Sequence, residues 1–140
     1  MKDYLILRIV TKLLLPFILL FALYVQFHGD FGPGGGFQAG VIFASGFVLY
    51  SLVFGVAAAR RILPVGILRA GIAGGVLIYG GVGVIDLALG ANYLNFDVMA
   101  HHPKDGQHMG ILLVEAGVGL TVACVMMTIF FTFAAWSEGE

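Results

Sequence analysis

From Phe37 to Ala59 the chain runs without a single charged residue. A bilayer core about 30 Å thick is crossed by roughly 20 apolar residues in a helix, so this stretch is long and apolar enough to span one. Three more stretches meet or approach the same requirement: Leu5 to Phe27, Leu68 to Tyr93 and Met109 to Trp136. The sequence therefore predicts an all-α, polytopic membrane protein with four transmembrane helices, at about 5–27, 37–59, 68–93 and 109–136, in a single transmembrane domain over residues 1–140. Composition agrees. Of the 140 residues, 60% are hydrophobic and 11% charged, whereas soluble domains carry about 25% charge.

The basic start (Lys2, Arg8, Lys12) and the apolar centre from Leu13 to Tyr24 resemble a cleavable signal, but Gln26, Phe27 and His28 stand where small residues should. The first segment is expected to be retained, with Pro16 bending it. Orientation follows from the basic residues. Lys2, Arg8, Lys12, Arg60, Arg61 and Arg69 fall on one side and only Lys104 on the other, which predicts cytoplasmic N and C termini by the positive-inside tendency. Tyr93 and Trp136 are expected at membrane interfaces. A net charge of -1 gives no reason to expect nucleic acid as a partner. The lone Cys124 has no partner for an internal disulfide and reads as a small hydrophobe in an apolar run.

Between the first two spans lies GDFGPGGGFQAG, from Gly29 to Gly40. Pro33 fixes one φ angle among glycines that tolerate almost any, so the stretch reads as a specified reversal that opens a helix. Small residues then recur every four positions: Gly36, Gly40 and Ala44 in the second span, Gly71 and Gly75 in the third, Gly119 and Ala123 in the fourth. Such faces let helix backbones approach closely where lipid removes the hydrophobic force between them. A phosphate loop is excluded, because the run lacks the Lys-Ser/Thr ending that contacts phosphate and magnesium. A dinucleotide fingerprint would need a preceding strand.

Asp86 and Glu115 lie inside spans, where an acid is costly and faces protein interior or a water path. The predicted span ends put each roughly 10 Å inside the same surface. Paired there, the two could hold a cation or share a proton, since two adjacent like charges resist joint ionisation. The alternative is that each acid bonds a hydroxyl or a base on a neighbouring subunit. His108 stands seven residues before Glu115 on the same helical face and could feed protons or cations toward it. His101, His102 and His108 have no zinc-motif spacing, so no metal is expected. No serine, histidine and acid set forms a triad, and neither enzymatic activity nor a cofactor is expected.

On HGDFGPGGGFQAG, and above all PGGGF at Pro33 to Phe37, the chain resembles the B subunit of multisubunit Mrp-type cation/proton antiporters. The likeness extends over essentially the whole chain, through the four-span plan and an acid early in the last span. Family members often have asparagine where this chain has Asp30 or Phe31, so that polar position is not carried over. The resemblance implies a small partner subunit beside other membrane subunits in the cytoplasmic membrane of a bacterium or archaeon. The complex would exchange Na+, or another monovalent cation, for H+, and this subunit could help line the cation path. Pro33, Gly34, Gly35, Gly36 and Phe37 carry over as the motif, whereas Asp86 and Glu115 are read from their chemistry alone. Related subunits of membrane-bound hydrogenase complexes make an assembly role the alternative reading. A third reading, an autonomous homodimeric transporter, fits less well because such exporters place their glutamate in the first span.

Overall fold

The structure is a computed structural model that describes residues 4–29, 34–96, 99, 101–137 and 139, apart from the side chain of Pro103. Five helices follow in order: α1 (Leu5–His28), α2 (Gly36–Phe54), α3 (Val56–Ile62), α4 (Val65–Ala88) and α5 (Pro103–Ser137). Among the described residues there is no strand. Four of the helices are long and apolar enough to cross a membrane, so the chain is an all-α, multi-pass membrane protein.

Local chemistry moves the ends of two predicted spans. The uncharged run does not continue as one helix to Ala59. It breaks at Gly55, whose φ of 98° lies where a Cβ would be strained, and the remainder forms the short α3 with Arg60 and Arg61 in its last turn. Leu63 precedes proline and leaves the helical region at φ -120°, ψ 77°. Pro64 then starts α4 from an extended conformation. α4 stops at Ala88, five positions before the predicted end at Tyr93, because the chain turns through Gly90 at φ 84°. Pro103 opens α5, the position where a missing N–H costs nothing. At 35 residues, α5 is about 52 Å long and outreaches the bilayer core.

α5 is the central helix. One of its faces packs on α4 and the opposite one on α2, while α1 lies mainly against α2. Both α5 seams are made of small residues. A Cβ on Gly40 would stand 2.6 Å from the Gly119 carbonyl oxygen, and one on Gly36 would overlap the carbonyl oxygen of Glu115. Across α5, a Cβ on Gly75 would stand 2.6 Å from the Gly117 carbonyl oxygen and one on Gly117 would stand 2.9 Å from that of Gly75. Gly71 and Gly75 thus meet α5, and so do Gly36 and Gly40. The backbones approach this closely because no side chain stands between them.

Toward the end that carries the α3 arginines, larger side chains replace glycine. Ala44, Ala59, Leu68, Cys124, Met127 and Phe131 form the apolar core there. Arg60 ties α3 to α5: its Nη2 donates to the Phe131 carbonyl oxygen at 2.9 Å and its guanidinium lies 5.5 Å from the Phe131 ring centroid. Hydroxyls within the bundle are satisfied locally. Ser51, Thr121, Thr128 and Thr132 each donate to the carbonyl one turn earlier, at 2.8, 2.9, 2.7 and 2.8 Å, which removes the cost of an unbonded hydroxyl in lipid. The outer surface is apolar. Ile6, Phe17, Leu20, Leu77 and Phe133 are exposed, as a lipid-facing surface requires.

Gly36→Ala sets a methyl against backbone that cannot rotate aside, and should destabilise the protein by about 1–3 kcal/mol. Gly74 has nothing within 4 Å of its missing Cβ, so Gly74→Ala should be neutral or stabilising by up to about 1 kcal/mol. Thermal unfolding of the two variants in detergent checks the contrast.

Candidate functional site

The reversal between α1 and α2 closes over Glu115. A Cβ on Gly29 would stand 2.8 and 3.0 Å from the two Glu115 carboxylate oxygens, and one on Gly35 would stand 3.4 Å from Oε1. Glycine backbone therefore lies against that side of the carboxylate. Gly35 adopts φ 133°, a conformation L side chains rarely take, and this lets the chain turn directly above the acid. A Cβ on Gly34 would stand 2.9 Å from the Val25 carbonyl oxygen, so the turn also folds back on the end of α1. Pro33, with Asp30, Phe31 and Gly32, lies outside the described residues. Of the remaining motif residues, Gly35, Gly36 and Gly40 are buried, Gly34 is half-buried and Phe37 is exposed.

Two glutamines adjoin this niche. Gln38 Oε1 would be 3.3 Å from a Cβ on Gly35, and Gln26 Oε1 would be 2.7 Å from one on Gly119, a turn beyond Glu115 along α5. Gln26 is only 9% exposed, and its Nε2 has no hydrogen-bond partner among the described residues. Sequence reasoning passed over Gln26 as a site residue. The available signal was an amide near the end of an otherwise apolar span, one turn from the motif. Gln26 also borders an apolar groove of about 410 Å³ lined by Phe43, Phe47, Leu68, Leu120 and Met127 among others.

The two acids do not form the pair that the span ends implied. Gly117 faces Gly75 and the Tyr79 backbone of α4. Glu115 lies two residues earlier, about 200° around the helix, and its carboxylate is directed at Gly29 and Gly35 instead. Asp86 belongs to the other seam, on the stripe of α4 that buries Leu68, Gly75 and Val82. It is fully buried, and neither carboxylate oxygen has a hydrogen-bond partner among the described residues. Because α4 ends at Ala88, Asp86 stands in its last turn, not the roughly 10 Å inside that a helix running to Tyr93 predicts. The connection then folds back: the Tyr93 ring packs on Gly83 and the Phe96 ring on Gly110. Tyr93 therefore covers the α4 stripe beside Asp86.

His108 is exposed, about 10 Å along α5 from Glu115. His101 and His102 are exposed in the connection before α5, and His28 stacks on Tyr24 with ring centroids 5.1 Å apart. Among the described residues no three histidine, cysteine or acid side chains gather as metal ligands. The arrangement with chemical capacity is thus Glu115, a carboxylate inside a spanning helix, beneath glycine backbone and one turn from the Gln26 amide. A carboxyl in such a place can take a proton or a monovalent cation, and neutral amide and carbonyl oxygens can share in holding the cation.

A sequence profile for the family described as "Domain related to MnhB subunit of Na+/H+ antiporter" matches residues 6–128. A Staphylococcus haemolyticus (strain JCSC1435) protein named "Putative antiporter subunit mnhB2" is 35% identical over 136 residues, covering 95% of this chain and 96% of the relative. Proteins of the same name from Staphylococcus aureus strains Newman and NCTC 8325 are 34% identical over 136 residues, with the same coverage.

The positive φ at Gly35 gives the niche its roof. Gly35→Ala should cost about 1–3 kcal/mol through backbone strain, and Gly35→Leu, with further bulk above Glu115, should prevent recovery of the folded protein. Phe37→Leu, at an exposed motif position, should leave the folded yield unchanged. Yield and thermal stability of the three purified variants decide this.

Proposed function

Because the chain belongs to the family of the MnhB subunit of Na+/H+ antiporters, we propose that it is a small membrane subunit of a multisubunit monovalent cation/proton antiporter in which Glu115 lines the cation path. The assembly lies in the cytoplasmic membrane of a bacterium or archaeon, with other membrane subunits as partners and Na+ and H+ as the transported ions. Both termini and α3 face the cytoplasm, so the Gly-rich reversal and Glu115 lie toward the outer surface. The chain is a transporter subunit rather than an enzyme. The matched names favour the antiporter over the hydrogenase-type assembly, and no observation favours an autonomous homodimer.

One observation carries the role of Glu115: its carboxylate lies within a spanning helix directly beneath the backbone of the family's motif. Exchange needs a group that holds either a proton or a cation but not both, and one carboxylate meets that need by mutual exclusion. Glycine at Gly29 and Gly35 lets the motif backbone come close to the carboxylate. Gln26, one turn further along α5, offers the next polar group. His108, exposed on the outer side of Glu115, stands at the entrance. Asp86 lies in a separate seam and is proposed as a second protonatable group, not as a co-ligand.

Glu115→Gln removes the exchangeable charge while keeping shape. Antiport by the assembled complex in inverted membrane vesicles should fall to background with subunit composition unchanged, and Glu115→Asp should restore part of it. Normal exchange by an assembled Glu115→Gln complex would sink the role of Glu115.

A further inference from the structure

At the end of the bundle away from Glu115, Arg8 and Lys12 stand one turn apart on α1. Both reach toward α2. The guanidinium carbon of Arg8 and the ammonium nitrogen of Lys12 each lie 5.5 Å from the centroid of the same ring, Phe54. Phe54 is itself stacked on Tyr50, with centroids 4.7 Å apart, so the two cations converge on a supported aromatic platform.

The ring attracts each cation but leaves their mutual repulsion in place. No described carboxylate relieves it: Asp86 ends α4, Asp105 starts α5 and Glu115 lies beneath the Gly-rich turn, all toward the opposite end. The next cation, Arg60, is committed to the Phe131 carbonyl and ring. An anion between Arg8 and Lys12 would satisfy both. Arginine binds a phosphate with two parallel hydrogen bonds, and lysine adds a mobile point charge. Beside these heads α1 exposes Leu5, Ile9 and Leu13, a hydrocarbon surface that a free inorganic anion would leave uncovered and acyl chains would fill.

We propose that Arg8, Lys12 and Phe54 form a binding site for the phosphodiester headgroup of an anionic phospholipid, with its acyl chains along α1. Two cations at a membrane surface are together worth roughly a thirtyfold gain in affinity for such a lipid. The site lies apart from Glu115 and does not depend on the reading of that residue.

The test uses the purified, assembled complex and a photoactivatable phosphatidylglycerol, with crosslinks to residues 5–13 counted by peptide mass spectrometry as lipid is titrated. Wild-type complex should show saturable labelling that a photoactivatable phosphatidylcholine does not reproduce and that inorganic phosphate does not displace. Arg8→Gln with Lys12→Gln should shift half-saturation upward roughly thirtyfold, while Arg8→Lys with Lys12→Arg should keep most of the labelling. Labelling unchanged in the glutamine variant, or equal with phosphatidylcholine, overturns the site. Displacement by inorganic phosphate assigns it to a free anion, and absence of labelling on α1 in the wild-type complex means that another subunit covers it; either result also overturns the proposal. Antiport measured on the same preparation separates failure of the lipid site from failure of the role given to Glu115.

Discussion

Backbone-to-backbone approach along α5 governs this structure. In lipid there is no hydrophobic gain in pressing one apolar helix on another, so association rests on dispersion, hydrogen bonds and the closeness that small residues permit. Gly36 and Gly40 bring α2 onto Gly119, while Gly71 and Gly75 bring α4 onto Gly117, Thr121 and Cys124. Because these glycine contacts lie on two opposite faces of α5, that helix becomes the shared wall between two seams. The remaining packing adapts to it: bulky side chains fill the core only toward the α3 end, where Met127 and Phe131 meet Leu68 and Ala59.

The same closeness determines what the acids can do. Glu115 is on the α2 side of the wall, and glycine at Gly29, Gly35 and Gly36 lets the turn between α1 and α2 descend onto its carboxylate and carbonyl. The motif and the acid are therefore parts of one construction, though they are far apart in the chain. Asp86 is on the α4 side, buried and without a hydrogen-bond partner among the described residues. A buried charge in that condition carries a large desolvation cost. The two carboxylates thus lie on different faces of the α5 packing, one toward α2 and one toward α4.

Among the described residues, Arg8, Lys12, Arg60, Arg61 and Arg69 collect where α1 and α4 begin and α3 ends, whereas Asp86, Asp105 and Glu115 lie toward the other end with Lys104. Within the basic end, aromatic rings organise the cations. Phe131 takes Arg60, and Phe54 takes Arg8 and Lys12. One of these groupings holds helices together, and the other presents two like charges outward.

The sequence by itself determined the four apolar helices, the all-α class, the small-residue faces and the family motif, because hydropathy, glycine spacing and local turn chemistry act over a few residues. It also marked Glu115 and Asp86, since an acid in an apolar run is visible without coordinates. Helix ends were less legible where single residues overrode periodicity: Gly55 cut α3 from α2, and the Gly90 turn shortened α4. Only the tertiary structure decided that the two acids occupy opposite seams, that Glu115 sits under the Gly-rich turn, and that Gln26 adjoins it. Those facts depend on how each helix is rotated about its axis, which packing at Gly36, Gly40, Gly75 and Gly117 settles and which no pattern within one helix encodes.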